Sequence, residues 1–202
     1  MGDVQDFFNR LAPSWDERCI YNREKIHTLL SLVGIKKQSR LLDVGCGTGV
    51  LESFLLEYEP EVIVAVDLSD EMIKHAKSNC QHPKITFICK DAMTLEEGEY
   101  DYIFIHNAFP HFEDGLACIK KMKEYLDRDG KLVICHSHSR TWINDHHEAK
   151  AKDVSKALIE GKQLARQMEE DFIIETVIDN EEMYMVVGEK KGEIKWDYFM
   201  KT

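Results

Sequence analysis

The sequence predicts an α/β fold: a seven-stranded, mostly parallel sheet with helices on both faces and one antiparallel strand near the C-terminus. Three observations carry this. Short apolar runs alternate with helix-spaced segments from about residue 40 to residue 136, the pattern of parallel strands joined by crossover helices. The first run leads into Asp43-Val44-Gly45-Cys46-Gly47-Thr48-Gly49, a glycine-rich strand-to-helix turn. Near the end, two strand-like runs flank the polar turn Asp179-Asn180-Glu181, which reads as an antiparallel hairpin.

Taken in order, the segment from about Val4 to Gly34 reads as helical, with Ile26, Leu29, Leu30 and Val33 on one face and Gly34 as its stop. Arg40 to Val44 is a buried strand, followed by a helix from about Gly49 to Tyr58. Glu61 to Asp67 is a second strand, and Ser69 caps a helix that runs to Ser78. Lys84 to Lys90 and Asp101 to His106 are the third and fourth strands. Leu116, Ile119, Met122 and Leu126 mark a helix, and Leu132 to His136 is the fifth strand. Val154, Ala157, Leu158, Leu164, Ala165 and Met168 keep helical spacing, with Gly161 as a point where that helix divides. Phe172 to Val177 and Met183 to Val187 form the hairpin; Gly192 to Thr202 carries no assignable pattern.

The 202 residues contain no repeat and no Gly/Ser-rich linker, so one domain over 1–202 is expected, with a helical N-terminal cover over about 1–34. The net charge of -11 disfavours a nucleic-acid partner, and the basic pairs Lys36-Lys37, Lys120-Lys121 and Lys190-Lys191 are short and scattered. No apolar run approaches the roughly 20 residues of a membrane span. The N-terminus lacks a signal peptide, and six cysteines without a CxxC pair suit free thiols; together these point to the cytoplasm.

The glycine turn has a specific use. Glycines let the backbone approach a ligand closely, and the following helix N-terminus faces that ligand. About 20 residues on, Asp67 closes the second strand, where a carboxylate accepts hydrogen bonds from both ribose hydroxyls. Dinucleotide sites usually read Gly-x-Gly-x-x-Gly, whereas Gly45, Gly47 and Gly49 are spaced by one residue each.

With Asp43 before it, this run resembles motif I of the class I S-adenosylmethionine-dependent methyltransferases, a Rossmann-like family. Val66-Asp67-Leu68-Ser69-Asp70-Glu71-Met72 resembles the family's second motif. The resemblance implies that Asp67 holds the ribose and Met72 packs on the adenine. Cys89-Lys90-Asp91-Ala92-Met93 resembles the third, with Asp91 accepting from the adenine amino group and Ala92 supplying a backbone donor. Tyr100 to Phe109 resembles the fourth-strand motif beside the methyl donor, which includes Asn107. Phe7 to Asp16 resembles the family's N-terminal cover, and the likeness runs from about Phe7 to Glu189. The implied cofactor is S-adenosylmethionine, bound by Asp43, Gly45, Cys46, Gly47, Gly49, Asp67, Leu68, Met72, Asp91, Ala92 and Asn107. The thiol of Cys46 is assigned no chemistry.

Six of the nine histidines follow the fourth and fifth strands: His106 and His111, then His136, His138, His146 and His147. Ligands of open α/β sheets sit at the strands' carboxyl ends, so these stretches border the acceptor site. Histidine titrates near neutral pH and suits the removal of an acceptor proton. His106, His111, His136 and His138 are the catalytic candidates; His146 and His147 read as surface residues. His136-Ser137-His138 reads as extended, with both rings on one side, and Arg140 as an anchor for an acceptor carboxylate. The spacing matches no zinc pattern, and no metal is assigned. Phe109-Pro110-His111-Phe112 departs from the Asn/Asp-Pro-Pro-aromatic motif of amino-group methyltransferases acting on nucleic acids or protein amides, which favours a small-molecule acceptor. Two rival functions stay open at this level: a nicotinamide-dependent oxidoreductase, and a non-enzymatic module that senses a cofactor or a metal.

Overall fold

The computed structural model describes residues 2–19, 21–96 and 98–192; the unassigned tail 193–202 lies outside the described residues. Seven strands, β1 (Arg40–Val44), β2 (Val62–Asp67), β3 (Ile85–Cys89), β4 (Tyr100–His106), β5 (Leu126–His136), β6 (Phe172–Asp179) and β7 (Tyr184–Lys190), form one sheet in the order β3-β2-β1-β4-β5-β7-β6. Only β7 runs against its neighbours, β5 and β6. The expected mixed sheet is therefore present.

Period-two alternation places the two halves of the core. Leu41, Ile63, Phe104, Val133 and Cys135 pack with Ile26, Leu29 and Leu30 of α3 (Arg23–Ser31) and with Leu51, Phe54 and Leu55 of α4 (Val50–Leu55). Their sequence neighbours Leu42, Ile103, Leu132 and Ile134 face the other way. There they meet Cys118, Ile119 and Met122 of α6 (Gly115–Tyr125) and Leu164, Ala165 and Met168 of α8 (Gly161–Met168). Each fully buried aliphatic side chain contributes about 1.5–3 kcal/mol, so both helical layers are fastened strongly.

Helix α5 (Asp70–Asn79) starts at the expected cap, where the Ser69 side chain accepts from Met72 N at 3.1 Å. Helix α4 has no capping side chain; it follows Gly49 at φ +82°.

Three expectations need correction. The N-terminal segment is not one helix but α1 (Gly2–Leu11), a 3-10 turn (Ala12–Ser14), α2 (Trp15–Arg18) and α3. Pro13 cannot donate within a continuing helix, and Asn22 starts α3 afresh by accepting from Lys25 N at 3.1 Å. The spacing from Val154 to Met168 is not one divided helix, because only α8 is α-helical. The chain before α8 is pinned open: Asn144 exchanges two hydrogen bonds with the Leu158 backbone, at 2.7 and 3.0 Å. Helix α7 (Arg140–Lys150), which carries His146 and His147, buries only Ile143. Finally, β5 begins at Leu126, running through Asp127 to Gly130 with a register shift against β4 between Tyr100 and Tyr102.

Sheet order reverses direction between β1 and β4. The carboxyl ends of those two strands therefore open a crevice, with the glycine turn on one side and His106-Asn107 on the other.

Candidate active site

The glycine turn leaves β1 with Gly45 and Cys46 both donating to the Val66 carbonyl, at 2.8 and 3.1 Å. Gly45 has φ +76°, and a Cβ there would lie 2.5 Å from the Ala108 Cβ, so only glycine fits. Nothing lies within 4 Å of a Cβ built on Gly47, which leaves that side of the turn open. Asp67 spans the turn: one oxygen accepts from Gly47 N at 2.9 Å and the other from Ser69 N at 2.8 Å. Burial pushes its carboxyl above the usual range, and those amides pull it back. Met72 is buried on α5. Asp91 Oδ1 accepts from Met93 N at 2.9 Å, while its buried Oδ2 has no partner among the described residues.

Behind the turn lies a feature that sequence reading missed. Glu52, on the inward face of α4, is as fully buried as Asp43 beside it, and Asp43 Oδ1 and both Glu52 oxygens have no partner among the described residues. Two buried carboxyls side by side share a proton, because two adjacent charges would be prohibitively costly there. Burial lifts Asp43 to about 7, and burial together with Asp43 lifts Glu52 well above its ordinary value. The signal was an acid among the buried Leu51, Phe54 and Leu55.

The N-terminal cover is tied across this site. Thr48 Oγ1 donates to Asp16 Oδ1 at 2.6 Å, and Asn79 donates to the other oxygen at 2.9 Å. Asn9 bonds Asp70 at 2.9 Å and accepts from the Ser69 hydroxyl.

The histidines separate into distinct environments. His106 Nε2 accepts from the Asn107 amide at 3.1 Å and meets Ser137 Oγ at 3.0 Å, so its lone pair is engaged. Asn107 takes φ +56° there and also accepts from Ser137 N at 3.1 Å. His136 is buried edge-on against Tyr184, with no partner for Nε2 among the described residues. His138 stacks on Trp142 at 3.9 Å, so the expected extended pair on one side does not form; the chain bends at 137–138.

His147 corrects its surface reading: its Nδ1 is buried, and its ring lies 4.9 Å from that of His111. Phe8 of the cover packs edge-on against His111, also at 4.9 Å. Burial lowers all these imidazoles, His106 and His147 to about 4. Arg140, expected to anchor an acceptor carboxylate, donates its Nε to Asp179 Oδ2 at 2.9 Å.

A cleft of about 870 Å³ lined by Arg40, Lys121, Arg128, Lys190 and the acids Glu99 and Glu124 contains none of the candidate residues. Among the described residues, no group of three or more His, Cys, Asp or Glu is arranged to hold a metal, and no helix is long and apolar enough to cross a membrane.

Comparison with known proteins adds an independent line. A family model described as a methyltransferase domain matches residues 35–197. The malonyl-[acyl-carrier protein] O-methyltransferase of Acetivibrio thermocellus is 33% identical over 138 residues, covering 65% of this chain and 48% of its own length. The protein of that name from Bacillus anthracis is 30% identical over 149 residues, covering 71% and 55%. The chain thus spans about half the length of the curated relatives it matches. Among solved structures, the methyltransferase in complex with the Haloferax volcanii Trm112 methyltransferase activator superposes with a TM-score of 0.78 at 13% identity, over 91% of this chain and 97% of that one. The N-methyltransferase NodS of Bradyrhizobium japonicum, solved with S-adenosyl-L-homocysteine, gives 0.72 at 16%, over 93% and 98%. These two likenesses are of fold.

Proposed function

The chain belongs to the class I S-adenosylmethionine-dependent methyltransferase family, and from that premise we propose that it methylates a small-molecule acceptor at the histidine-lined end of the β1/β4 crevice. The observation that carries the reading is the contact between Gly45 and Ala108. It sets the glycine turn directly against the segment that leads into His111.

The residues present fit the family's cofactor. Each Asp67 oxygen accepts one amide and keeps a second lone pair for a ribose hydroxyl. The unspent Asp91 Oδ2 suits the adenine amino group, with Ala92 and Met72 beside it. The open side of Gly47 admits the ligand to the turn formed by Gly45, Cys46 and Gly49. Asp43, paired with Glu52, supports that turn from behind, while Leu68 and Asn107 flank it. When bound, S-adenosylmethionine supplies a methyl group activated by its sulfonium. The protein aligns the acceptor, excludes water beneath α1 and takes up any proton released.

The net charge of -11 and the enclosure of the histidines under Phe8 favour a small acceptor over a nucleic acid. Calorimetry tests the cofactor: S-adenosylhomocysteine binds saturably and NADH does not. Binding of NADH alone sinks the reading. Screening small acceptors for release of S-adenosylhomocysteine then tests the acceptor class.

A further inference from the structure

The loop after β4 holds one imidazole in a fixed tautomer. His111 Nδ1 lies 3.0 Å from the Val154 carbonyl oxygen. A carbonyl can only accept, so Nδ1 carries the proton and Nε2 carries the bare lone pair. That nitrogen has no hydrogen-bond partner among the described residues, unlike His106 Nε2, which Asn107 and Ser137 engage. The loop itself is braced: His111 N donates to Ala108 O at 3.0 Å, and Lys156 N donates to Pro110 O at 2.7 Å. The first of those bonds runs to the residue in contact with Gly45.

The surroundings are aromatic and uncharged. Phe8 and His147 flank the ring, each 4.9 Å away. His146 extends the cluster from α7, and His136 and His106 reach it from β5 and β4; burial disfavours the charged form of each. The lysines lie further out, Lys150 acting on His146 and Lys25 on His138. Arg140 donates its Nε to Asp179. A carboxylate acceptor would need a cation to hold it and no base to activate it. A weakly acidic hydroxyl or thiol needs the reverse.

We propose that His111 Nε2 is the general base of methyl transfer, and that the acceptor is a neutral molecule bearing a hydroxyl or thiol that loses its proton as it is methylated. This rests on the methyltransferase reading above. In the step, the oxygen or sulfur forms a bond to the methyl carbon, and the carbon–sulfonium bond breaks with its electron pair going to sulfur. The acceptor proton passes to His111 Nε2 and leaves to water after turnover. His147 is a positioning residue: kept neutral, it does not repel the imidazolium formed beside it.

The test uses the full chain with S-adenosylmethionine and four probes: catechol, thiophenol, benzoate and malonyl-pantetheine. S-adenosylhomocysteine release is expected with catechol or thiophenol and absent with the two carboxylates. His111→Asn keeps an amide donor for the Val154 carbonyl but has no base at the Nε2 position. Its turnover should fall by about 10²–10⁴-fold with S-adenosylhomocysteine affinity unchanged. The wild-type rate should rise with pH to a plateau, and His111→Asn should abolish that limb. A histidine ¹⁵N spectrum reads the tautomer without any acceptor, with the proton expected at Nδ1. Turnover of carboxylates alone, of none of the four probes, or at an undiminished rate in His111→Asn overturns the proposal, as does a proton found at Nε2. Failure of the wild type to bind S-adenosylhomocysteine overturns instead the methyltransferase reading on which it rests.

Discussion

Gly45 and Ala108 meet so closely that a methyl group on the glycine would fall 2.5 Å from the alanine Cβ. The contact joins the two walls of the crevice between β1 and β4.

Gly45→Ala combines that overlap with φ +76°, a conformation an alanine strongly resists. A loss of about 2 kcal/mol in stability is expected. S-adenosylhomocysteine affinity should fall with it. Chemical denaturation and calorimetry report the two effects; a variant as stable and as tight-binding as the wild type contradicts the packing described.

Asp67→Asn replaces an acceptor of two backbone amides with a group that presents N–H on one side. Leaving one buried amide unpaired costs about 1–3 kcal/mol. The expected result is a roughly 10- to 100-fold weaker S-adenosylhomocysteine affinity and a lower melting temperature.

The Asp43–Glu52 pair predicts a stability that falls as pH rises. Burial raises both folded carboxyls, Asp43 to about 7, above the unfolded values near 4. The folded state therefore holds the proton more tightly. Its contribution is complete below about pH 4 and is lost as pH climbs through about 7. Glu52→Gln retains a donor to Asp43 without the titrating proton and should flatten the melting temperature between pH 6 and 8. Equal slopes in variant and wild type would show that no proton is shared.

The imidazoles predict an acid limb of opposite sign. His106 and His147 lie at about 4 because burial disfavours their charged forms, below the unfolded value near 6.5. Their contribution is complete above about pH 6.5 and is lost as pH drops toward 4. Melting temperature should decline from pH 7 to pH 5, and less steeply in His147→Gln. The same decline in both would remove His147 from the cluster.

The parallel strands and the glycine turn were legible because each depends on local residues. Apolar runs specify β1 to β4, and Gly45 and Gly49 mark positive φ at a strand end. Sequence also grouped the histidines near the strand tips. It could not sort them, since their roles depend on residues distant in the chain. His111 meets His147 only because α7 folds back over the crevice, and with Ile143 as its one buried side chain α7 has no apolar face from which that direction could be read. Glu52 was overlooked because an acid on a surface helix normally faces water, and only the buried neighbours Leu51 and Phe54 betray its direction. The helical spacing after Val154 misled because Val154 and Leu158 are separate anchors of an irregular segment.

The reversal of strand order between β1 and β4 has a consequence for inheritance. Apart from Asn107, every residue assigned to the cofactor lies before position 93, and every histidine of the crevice lies after position 105. The two sets meet where Gly45 lies against Ala108, and Phe8 of the N-terminal cover adds a contact with His111. Acceptor preference can therefore drift through changes in the second half of the gene while the first half stays under constant selection. A chimaera joined in the loop between β3 and β4 should carry the acceptor range of its C-terminal parent.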